Sequence, residues 1–292
     1  MSTGDRYAPG VPEHQPPPPD TLVAPSRPDS PWTLDLSGSA PEALPLQFHR
    51  AQRNLDTDDR IDVTVTGGIG RLRLVDLVDG AGWKILAGPV SATPERLEFQ
   101  VERRHTLADT VGPGMHLLVC GVNPSPYSAD VGVGYGRPGN RFWPAALAAG
   151  IVRVDRDPVA ALAAGMGMTD FAKRATRTAA EVTPDEYANG FARVTRLVAW
   201  LTPGTVCFVG LSGWRTVVDR HAVAGLQPGL VAGRPVYVMP STSGLNARST
   251  PSDLAAHLAA AWALSPAPDR GRPLPSQPPT GAPGQARPST GS

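Results

Sequence analysis

The 292-residue sequence has few cysteines, almost no net charge and no long apolar run. Its two cysteines, Cys120 and Cys207, lie in short apolar segments typical of buried strands. Neither has the neighbouring ligands of a zinc site, so we expect no metal, no cofactor and no disulfide. A net charge of +1 excludes a strong positive field over the whole protein. Binding of nucleic acid would therefore need a local basic patch. Because no signal-peptide core opens the chain and no segment could span a bilayer, we expect a soluble cytoplasmic protein with no membrane contact.

Proline, by contrast, is abundant and concentrated at both ends of the chain. Of the 33 prolines, eleven fall in residues 1–50 and eight in residues 265–292. Segments of this composition bury too little apolar surface to offset the entropy lost on ordering. We therefore predict disordered tails over residues 1–55 and 266–292.

Residues 56–104 form a small segment whose function the sequence does not indicate. The alternation in Ile61–Thr66 predicts a strand, Leu72–Val78 predicts a short helix, and Leu97–Val101 predicts another strand. The glycine-rich stretch after the first strand is typical of a turn, since it holds no complete Gly-x-Gly-x-x-Gly nucleotide-binding pattern.

Through residues 105–265, predicted strands alternate with predicted helices. This pattern is typical of a parallel sheet covered by helices on both faces, and we expect the span to fold on its own as the catalytic domain. Thr183-Pro184-Asp185-Glu186 is a capping box that begins a long amphipathic helix. The predicted strands are Met115–Val122, Met166–Phe171, Val206–Val209 and Val236–Met239. Since ligands of such sheets lie beyond the carboxyl ends of the strands, the loops after the first and last strands are the candidate site.

The loop after the first strand contains the most unusual residues. Asn123 could orient a water molecule or bind a base edge with its amide, although an asparagine before proline also commonly closes a turn. Tyr135 lies among glycines, where core packing poorly explains a large aromatic residue and stacking on a planar ligand is the alternative. Phe142 and Trp143 begin a helix and are expected in the core.

Three arginines, in the first and second loops, could contact phosphates or remain solvated. They are Arg137, Arg141 and Arg248.

In combination, the two loops resemble those of a known family. Gly-Val-Asn-Pro at residues 121–124, a spacer and Tyr-Gly-Arg-Pro-Gly-Asn-Arg-Phe-Trp at 135–143 are similar to the first motif of the mismatch-specific uracil/thymine-DNA glycosylases. These belong to the uracil-DNA glycosylase superfamily. The similarity continues through Gly167-Met168-Thr169-Asp170 and Lys173-Arg174-Ala175-Thr176, and ends with residues 240–245. It implies an α/β fold, a three-layer αβα sandwich with a central four-stranded parallel sheet.

The resemblance also implies roles for individual residues. Asn123 matches the catalytic asparagine that positions the hydrolytic water, and Tyr135 matches the aromatic residue that stacks on the flipped base. Gly244 and Leu245 match the wedge that fills the vacated space in the duplex. The implied substrate-binding residues are Val122 and Ser125 (through backbone groups), Tyr135 and Asn140, and the implied DNA-binding residues are Ser243, Gly244, Leu245 and Arg248.

Three departures from the family pattern bear on substrate range. Ser125 stands where the family usually has glycine, Pro126 is unusual, and the arginine that often follows the wedge is displaced by one position to Arg248. The second loop lacks the histidine of the classical uracil glycosylases, which favours the mismatch-specific branch. Because no carboxylate lies between Asn123 and Ser128, a strong general base is missing there, and we expect a slow enzyme that prefers poorly paired bases.

We therefore expect a monomeric DNA repair glycosylase acting on double-stranded DNA with G·U or G·T mismatches. It would hydrolyse the N-glycosidic bond of uracil, thymine or a damaged pyrimidine and leave an abasic site. Two alternatives stay open. Asn123–Tyr127 resembles the Asn-Pro-Pro-Tyr motif of adenine-N6 methyltransferases, apart from an inserted serine. A protein of this fold could also bind mismatched or abasic DNA without catalysis.

Overall fold

The computed structural model describes residues 22–25, 27, 30–93 and 96–265. They form two α/β units, an N-terminal unit that ends with residue 103 and a C-terminal unit that carries both candidate loops. Each unit is built on a five-stranded sheet. In these ranges, no helix is long and apolar enough to cross a bilayer. The predicted disorder of residues 1–21 and 266–292 concerns a part of the chain outside the described residues.

The N-terminal unit packs two helices against one face of its sheet. Its elements are β1 (Leu22–Val23), β2 (Trp32–Leu36), α1 (Leu44–Gln52), β3 (Arg60–Thr66), α2 (Arg71–Gly80), β4 (Trp83–Thr93) and β5 (Arg96–Arg103). The strand order is β1-β2-β3-β5-β4, in which only β2 and β3 pair in parallel. The strand, helix and strand predicted within residues 56–104 are confirmed as β3, α2 and β5.

Residues 32–55 correct the predicted extent of the N-terminal tail. They contain β2 and α1, where the proline-rich composition of residues 1–55 predicted disorder. Leu34, Leu44 and Phe48 from this stretch have no exposed surface. They pack in one cluster with β3 and β5, so their order depends on partners far along the chain, which composition alone does not reveal.

The C-terminal unit alternates strands and helices. Its elements are β6 (Leu117–Gly121), α3 (Pro126–Val131), α4 (Phe142–Ala148), α5 (Pro158–Ala163), β7 (Met166–Asp170), α6 (Pro184–Leu201), β8 (Thr205–Val209), α7 (Leu211–Val217), β9 (Gly225–Val231), β10 (Arg234–Met239) and α8 (Pro251–Ala263). The predicted capping box begins α6, where Thr183 and Glu186 exchange hydrogen bonds.

The sheet of the C-terminal unit has the strand order β7-β6-β8-β10-β9. The first four strands are parallel, which confirms the predicted four-stranded core. The fifth, β9, was not predicted and pairs antiparallel with β10 at the edge. Its apolar pattern is interrupted by Pro228 and Gly229, and its Leu226 and Leu230 are exposed, as is tolerated only at a sheet edge.

Helices cover both faces of this sheet and make the three predicted layers. One apolar cluster joins the sheet to α6 and α7 and includes Val194, Val198 and Trp214. The other joins it to α4, α5 and α8 and includes Trp143 and Leu258. Because both faces are buried, the functional loops can only emerge at the ends of the strands.

A buried ion cluster joins the two units. Asp109, in the connection between them, accepts hydrogen bonds from Lys173 Nζ (2.9 Å), Arg193 Nη1 (2.6 Å) and Thr169 Oγ1 (2.7 Å). The Asp109 N–H donates to the carbonyl oxygen of Gly80 in α2 (2.8 Å). Burial alone would raise the pKa of Asp109, but the charges of Arg193 and Lys173 outweigh it and hold the pKa below the ordinary value.

The outer face of α6 completes the interface. Arg196 makes a two-bond ion pair with Asp76 of α2 (2.6 and 2.7 Å), and Trp200 packs against the core of the N-terminal unit. The guanidinium carbon of Arg73 lies 4.8 Å from the centre of a Trp200 ring. A cavity of about 540 Å³, lined also by Leu197, lies between the units.

This interface changes what we expect of the isolated span 105–265. A chain that begins at residue 105 should melt at least about 10 °C below the full chain, or fail to fold, because Leu197 and Trp200 lose their apolar partners. Thermal unfolding measures this, and a chain that begins at residue 22 is the control that should melt like the full chain. Equal melting temperatures for all three chains would show that the C-terminal unit folds by itself.

Candidate active site

The two candidate loops meet in one cleft at the carboxyl edge of the C-terminal sheet. The first follows β6 and the second follows β10, and the backbone of Arg141 donates a hydrogen bond to the carbonyl oxygen of Thr242 (2.9 Å) between them. The cleft has a volume of about 180 Å³. Its lining includes the predicted residues Val122, Asn123, Ser125, Tyr135, Asn140 and Ser243, together with Asp170 and the segment 176–179.

The side-chain amide of Asn123 is held in one orientation. The two protons of its Nδ2 are shared among three acceptors, the carbonyl oxygens of Pro124 (3.0 Å) and Arg174 (3.1 Å) and Thr176 Oγ1 (2.7 Å). Its Oδ1 accepts no hydrogen bond from any described residue. The nitrogen of the amide therefore serves local structure, as expected of an asparagine that closes a turn. The oxygen is left as a free acceptor in the cleft. Such an acceptor can hold a water molecule and orient its lone pair.

The ring of Tyr135 stacks on Phe142, with centroids 4.2 Å apart and planes 17° apart. Its backbone φ of +56° lies in the left-handed region, which is uncommon for a large side chain and is held here by that packing. Its hydroxyl is buried with no hydrogen-bond partner among the described residues. Burial raises the pKa of this hydroxyl well above its ordinary value, with a smaller contribution from the Asp170 charge. Phe142 and Trp143 are fully buried, as predicted.

β6 ends at Gly121, a position with no space for a side chain. A Cβ at Gly121 would clash with Asp170 Oδ1 and lie only 2.8 Å from Tyr135 Oη. The register pairs Gly121 with Asp170 across neighbouring parallel strands. The absent side chain therefore lets a carboxyl and a phenol converge at the base of the cleft.

Asp170 adds an ionisable group that the sequence analysis did not assign. Burial raises the pKa of Asp170 to about 6, although the charge of Lys173 partly opposes this shift. Its carboxylate accepts no hydrogen bond from the described residues. A carboxyl group with this pKa can accept a proton or donate a hydrogen bond near neutral pH.

The other predicted substrate-binding residues serve partly as local structure. Ser125 caps α3, with its Oγ accepting a hydrogen bond from Ser128 N (3.2 Å). The Oδ1 atom of Asn140 accepts a hydrogen bond from the N–H of Phe142 (3.0 Å), the first residue of α4. The amide nitrogen of Asn140 has no partner in the described part of the chain and is available to a ligand. Val122 lines the cleft beside Asn123 and packs against the sheet core.

Arg141 stabilises the conformation of the second loop. Its guanidinium donates to three carbonyl oxygens of that loop, those of Ser243 (2.9 Å), Asn246 (2.6 Å) and Ser249 (2.6 Å). The hypothesis that Arg141 contacts phosphate is therefore corrected, because its Nη1 and Nη2 bind loop carbonyl oxygens and its Nε is buried. A Cβ at Gly244 would lie 2.9 Å from the carbonyl oxygen of Gly139, so the two loops approach closely here. Beside this contact Leu245 is 90% exposed.

Exposed arginines surround the cleft. Arg137 and Arg177 line it, and Arg248 lies on the second loop. None of the three makes an ion pair with a described residue. Arg177 was not predicted, although it directly follows the quoted Lys-Arg-Ala-Thr stretch. Arg137 and Arg177 therefore place positive charge at the cleft itself, and Arg248 adds an exposed cation on the second loop.

Two further residues escaped the sequence analysis although both lie in motifs that it quoted. Asp170 ends the second strand of the sheet, and the topological rule that selected two loops applies equally to this strand end. Thr176 reaches Asn123 only because the segment after β7 folds back across the first loop. The position of Asp170 at the end of a predicted strand was thus a usable signal in the sequence, whereas Thr176 had none.

A comparison with known families agrees with this geometry. Residues 108–264 match the family model of the Uracil DNA glycosylase superfamily. The match covers more than half of the chain, and it includes β6, β10 and both loops. The chain therefore belongs to the uracil DNA glycosylase superfamily. It is a DNA glycosylase, a hydrolase of DNA repair that acts on uracil-containing DNA.

Because the hydroxyl of Tyr135 is unbonded and its ring is stacked, we expect different effects from two substitutions. Tyr135→Phe should keep base release within about twofold and should not lower stability, because the buried hydroxyl makes no hydrogen bond. Tyr135→Ala should slow base release roughly 10- to 100-fold through loss of a stacking surface worth about 1–3 kcal/mol. Single-turnover assays on uracil-containing duplexes measure both rates. A large loss with phenylalanine would mean that the hydroxyl contacts the substrate.

The raised pKa of Asp170 predicts a pH-dependent stability. Since the folded-state pKa of about 6 exceeds the ordinary 3.8, ionisation of Asp170 opposes folding, increasingly so as pH rises between these values and fully above them. Asp170→Asn removes this cost. The free energy of unfolding should rise by roughly 3 kcal/mol at pH 8 and by about half as much at pH 5. Urea denaturation at both pH values measures this, and a loss of stability at pH 8 would contradict an uncompensated carboxylate.

Proposed function

We propose that this glycosylase belongs to the mismatch-specific branch and excises uracil, or thymine or a damaged pyrimidine, mispaired with guanine in double-stranded DNA. The base is flipped into the cleft, a water molecule held by Asn123 attacks the sugar, and an abasic site remains. One observation carries the proposal. The Asn123 amide is immobilised with its oxygen free in a cleft of small volume.

The chemistry suits an amide rather than a strong base. The bond between the sugar carbon C1′ and the base nitrogen breaks with an oxocarbenium-like transition state, and its electron pair leaves with the base as an anion. Water then bonds to C1′ and loses a proton. A held oxygen acceptor lowers the barrier mainly by placing the water, which avoids the entropy cost of bringing it into position. The rate then depends on how readily the base leaves.

The cleft lining supports selectivity for weakly paired bases. None of the described residues that line it is a histidine, so a cationic donor of that kind does not stabilise the leaving anion. The enzyme must then rely on hydrogen bonds from backbone and amide groups, such as the free nitrogen of Asn140. A mispaired base costs less to flip than a paired one, which contributes to selectivity before any chemistry occurs.

The surroundings of the cleft support binding of a flipped nucleotide. Leu245 projects into solvent on a loop that Arg141 holds through three hydrogen bonds, as a wedge inserted into a base stack requires. Arg137, Arg177 and Arg248 are available for phosphates on either side. Membership in the superfamily leaves no support for the adenine methyltransferase alternative. A protein that binds without cleaving is an outcome of the test below.

The experiment is single-turnover base release on matched duplexes that carry G·U, G·T, A·U or ethenocytosine. Release should be fastest from G·U and slower from A·U. Equal rates from G·U and A·U would contradict mismatch specificity while leaving the glycosylase intact. Binding to these duplexes without release from any of them would favour the non-catalytic alternative.

Asn123→Ala should lower base release from G·U by roughly a hundredfold or more, the range of a lost active-site polar group of about 2.7–4 kcal/mol. Binding to an abasic duplex should change little, because phosphate contacts dominate the affinity. Asn123→Asp provides a matched comparison, since a carboxylate can accept the water proton but repels the leaving anion. Release by Asn123→Ala at the wild-type rate would contradict the assigned role.

A further inference from the structure

We propose that Thr176 is a positioning residue that determines which atom of the Asn123 amide faces the cleft. The inference rests on the proposed function of Asn123 and adds a residue to which the resemblance assigns no role. The Thr176 side chain is buried, with 4% of the residue exposed. Its hydroxyl makes the shortest of the three hydrogen bonds to the Asn123 amide nitrogen, at 2.7 Å.

The direction of each hydrogen bond follows from the proton inventory. The Thr176 hydroxyl has one proton, and this proton is donated to the carbonyl oxygen of Thr178 (2.7 Å). A carbonyl oxygen can only accept, so the lone pairs of the hydroxyl face Asn123. They can be satisfied only by the NH₂ end of the amide. Thr178 therefore orients Thr176, and Thr176 orients Asn123.

The alternative orientation of the amide is strongly disfavoured. A half-turn of the Asn123 side chain would bring Oδ1 against the Thr176 oxygen and against the carbonyl oxygens of Pro124 and Arg174. The two carbonyl oxygens could present only lone pairs to it, and Thr176 could donate to it only by giving up its bond to Thr178. The NH₂ group would then face the cleft as a donor. A donor cannot accept the proton of an attacking water. The active orientation is thus favoured by two carbonyl oxygens that can only accept and by Thr176, the only side chain among the three, whose single proton is committed to Thr178.

The hydroxyl can be removed without removing the anchors of its segment. The Thr176 N–H donates to the carbonyl oxygen of Pro124 (3.1 Å), a backbone bond that any substitution except proline keeps. Three residues earlier, Lys173 is tied to the buried Asp109, and its carbonyl oxygen accepts from Thr106 Oγ1. Thr176→Val keeps the branched shape of the side chain and replaces the hydroxyl with a methyl group, which can neither donate nor accept. The backbone should therefore stay in place while the amide loses its shortest bond.

The test compares Thr176→Val with Thr176→Ser in the full-length protein. Thr176→Val should slow single-turnover base release from a G·U duplex by roughly 10- to 100-fold, the scale of a reactant misplaced by about 1 Å. Thr176→Ser keeps the hydroxyl and should release the base within about threefold of wild type. Binding to an abasic duplex should be unchanged in both.

A double-mutant cycle separates positioning from general destabilisation. Added to Asn123→Ala, the change Thr176→Val should cause no further loss of rate, because the amide that it positions is already gone. A further tenfold loss in that background would overturn the inference, as would equal defects for valine and serine. If Thr176→Val fails to fold, Thr176→Ala takes its place in the same cycle. Absence of base release by the wild-type protein would instead contradict the proposed function, so the two failures are distinguishable.

Discussion

The buried carboxylate of Asp109 connects the two units with β7, α6 and the segment that follows β7. It binds Lys173 in the segment that contacts the Asn123 amide, Arg193 in the central helix α6 and Thr169 in β7, while its backbone binds α2 of the N-terminal unit. A carboxylate removed from water is costly unless it is paired and hydrogen-bonded, and here both cations and a hydroxyl satisfy it. Since none of these partners can leave without stranding a buried charge, the two units and the 173–176 segment are bound to one arrangement.

That constraint suits an active site that works by placement rather than by strong acid or base chemistry. The Asn123 amide is immobilised by three acceptors that all contact its nitrogen. The direction in which its oxygen points follows from these contacts. Asp170 represents the opposite case, because its carboxylate at the base of the cleft accepts no hydrogen bond from described residues and its pKa is raised to about 6 by burial. A protein keeps such a group at a cost in stability, and this cost is typical of functional sites.

The N-terminal unit shows which elements follow from local sequence patterns and which depend on tertiary contacts. Alternation predicted β3 and β5 correctly from residues 61–66 and 97–101, because one buried face leaves a period of two in the sequence. β2 and α1 were not predicted, because the proline-rich composition of residues 1–55 taken as a whole outweighed the apolar residues near its end. Leu34, Leu44 and Phe48 are buried only because strands from later in the chain cover them. The edge strand β9 was missed for a related reason, since one side of it faces solvent and its pattern is weak.

The sequence by itself determined the parallel sheet of the C-terminal unit, the two loops at its carboxyl edge and Asn123, Tyr135 and Leu245 as candidates. These depend on periodicity, capping and local motif, which are properties of neighbouring residues. Only the tertiary structure decided how those residues act. It joins the Asn123 amide nitrogen to Thr176, engages Arg141 with the second loop and brings Asp170 to the base of the cleft. Each of these contacts joins residues more than 30 positions apart, and hydrogen-bond direction and burial across such distances leave no periodic trace in a sequence.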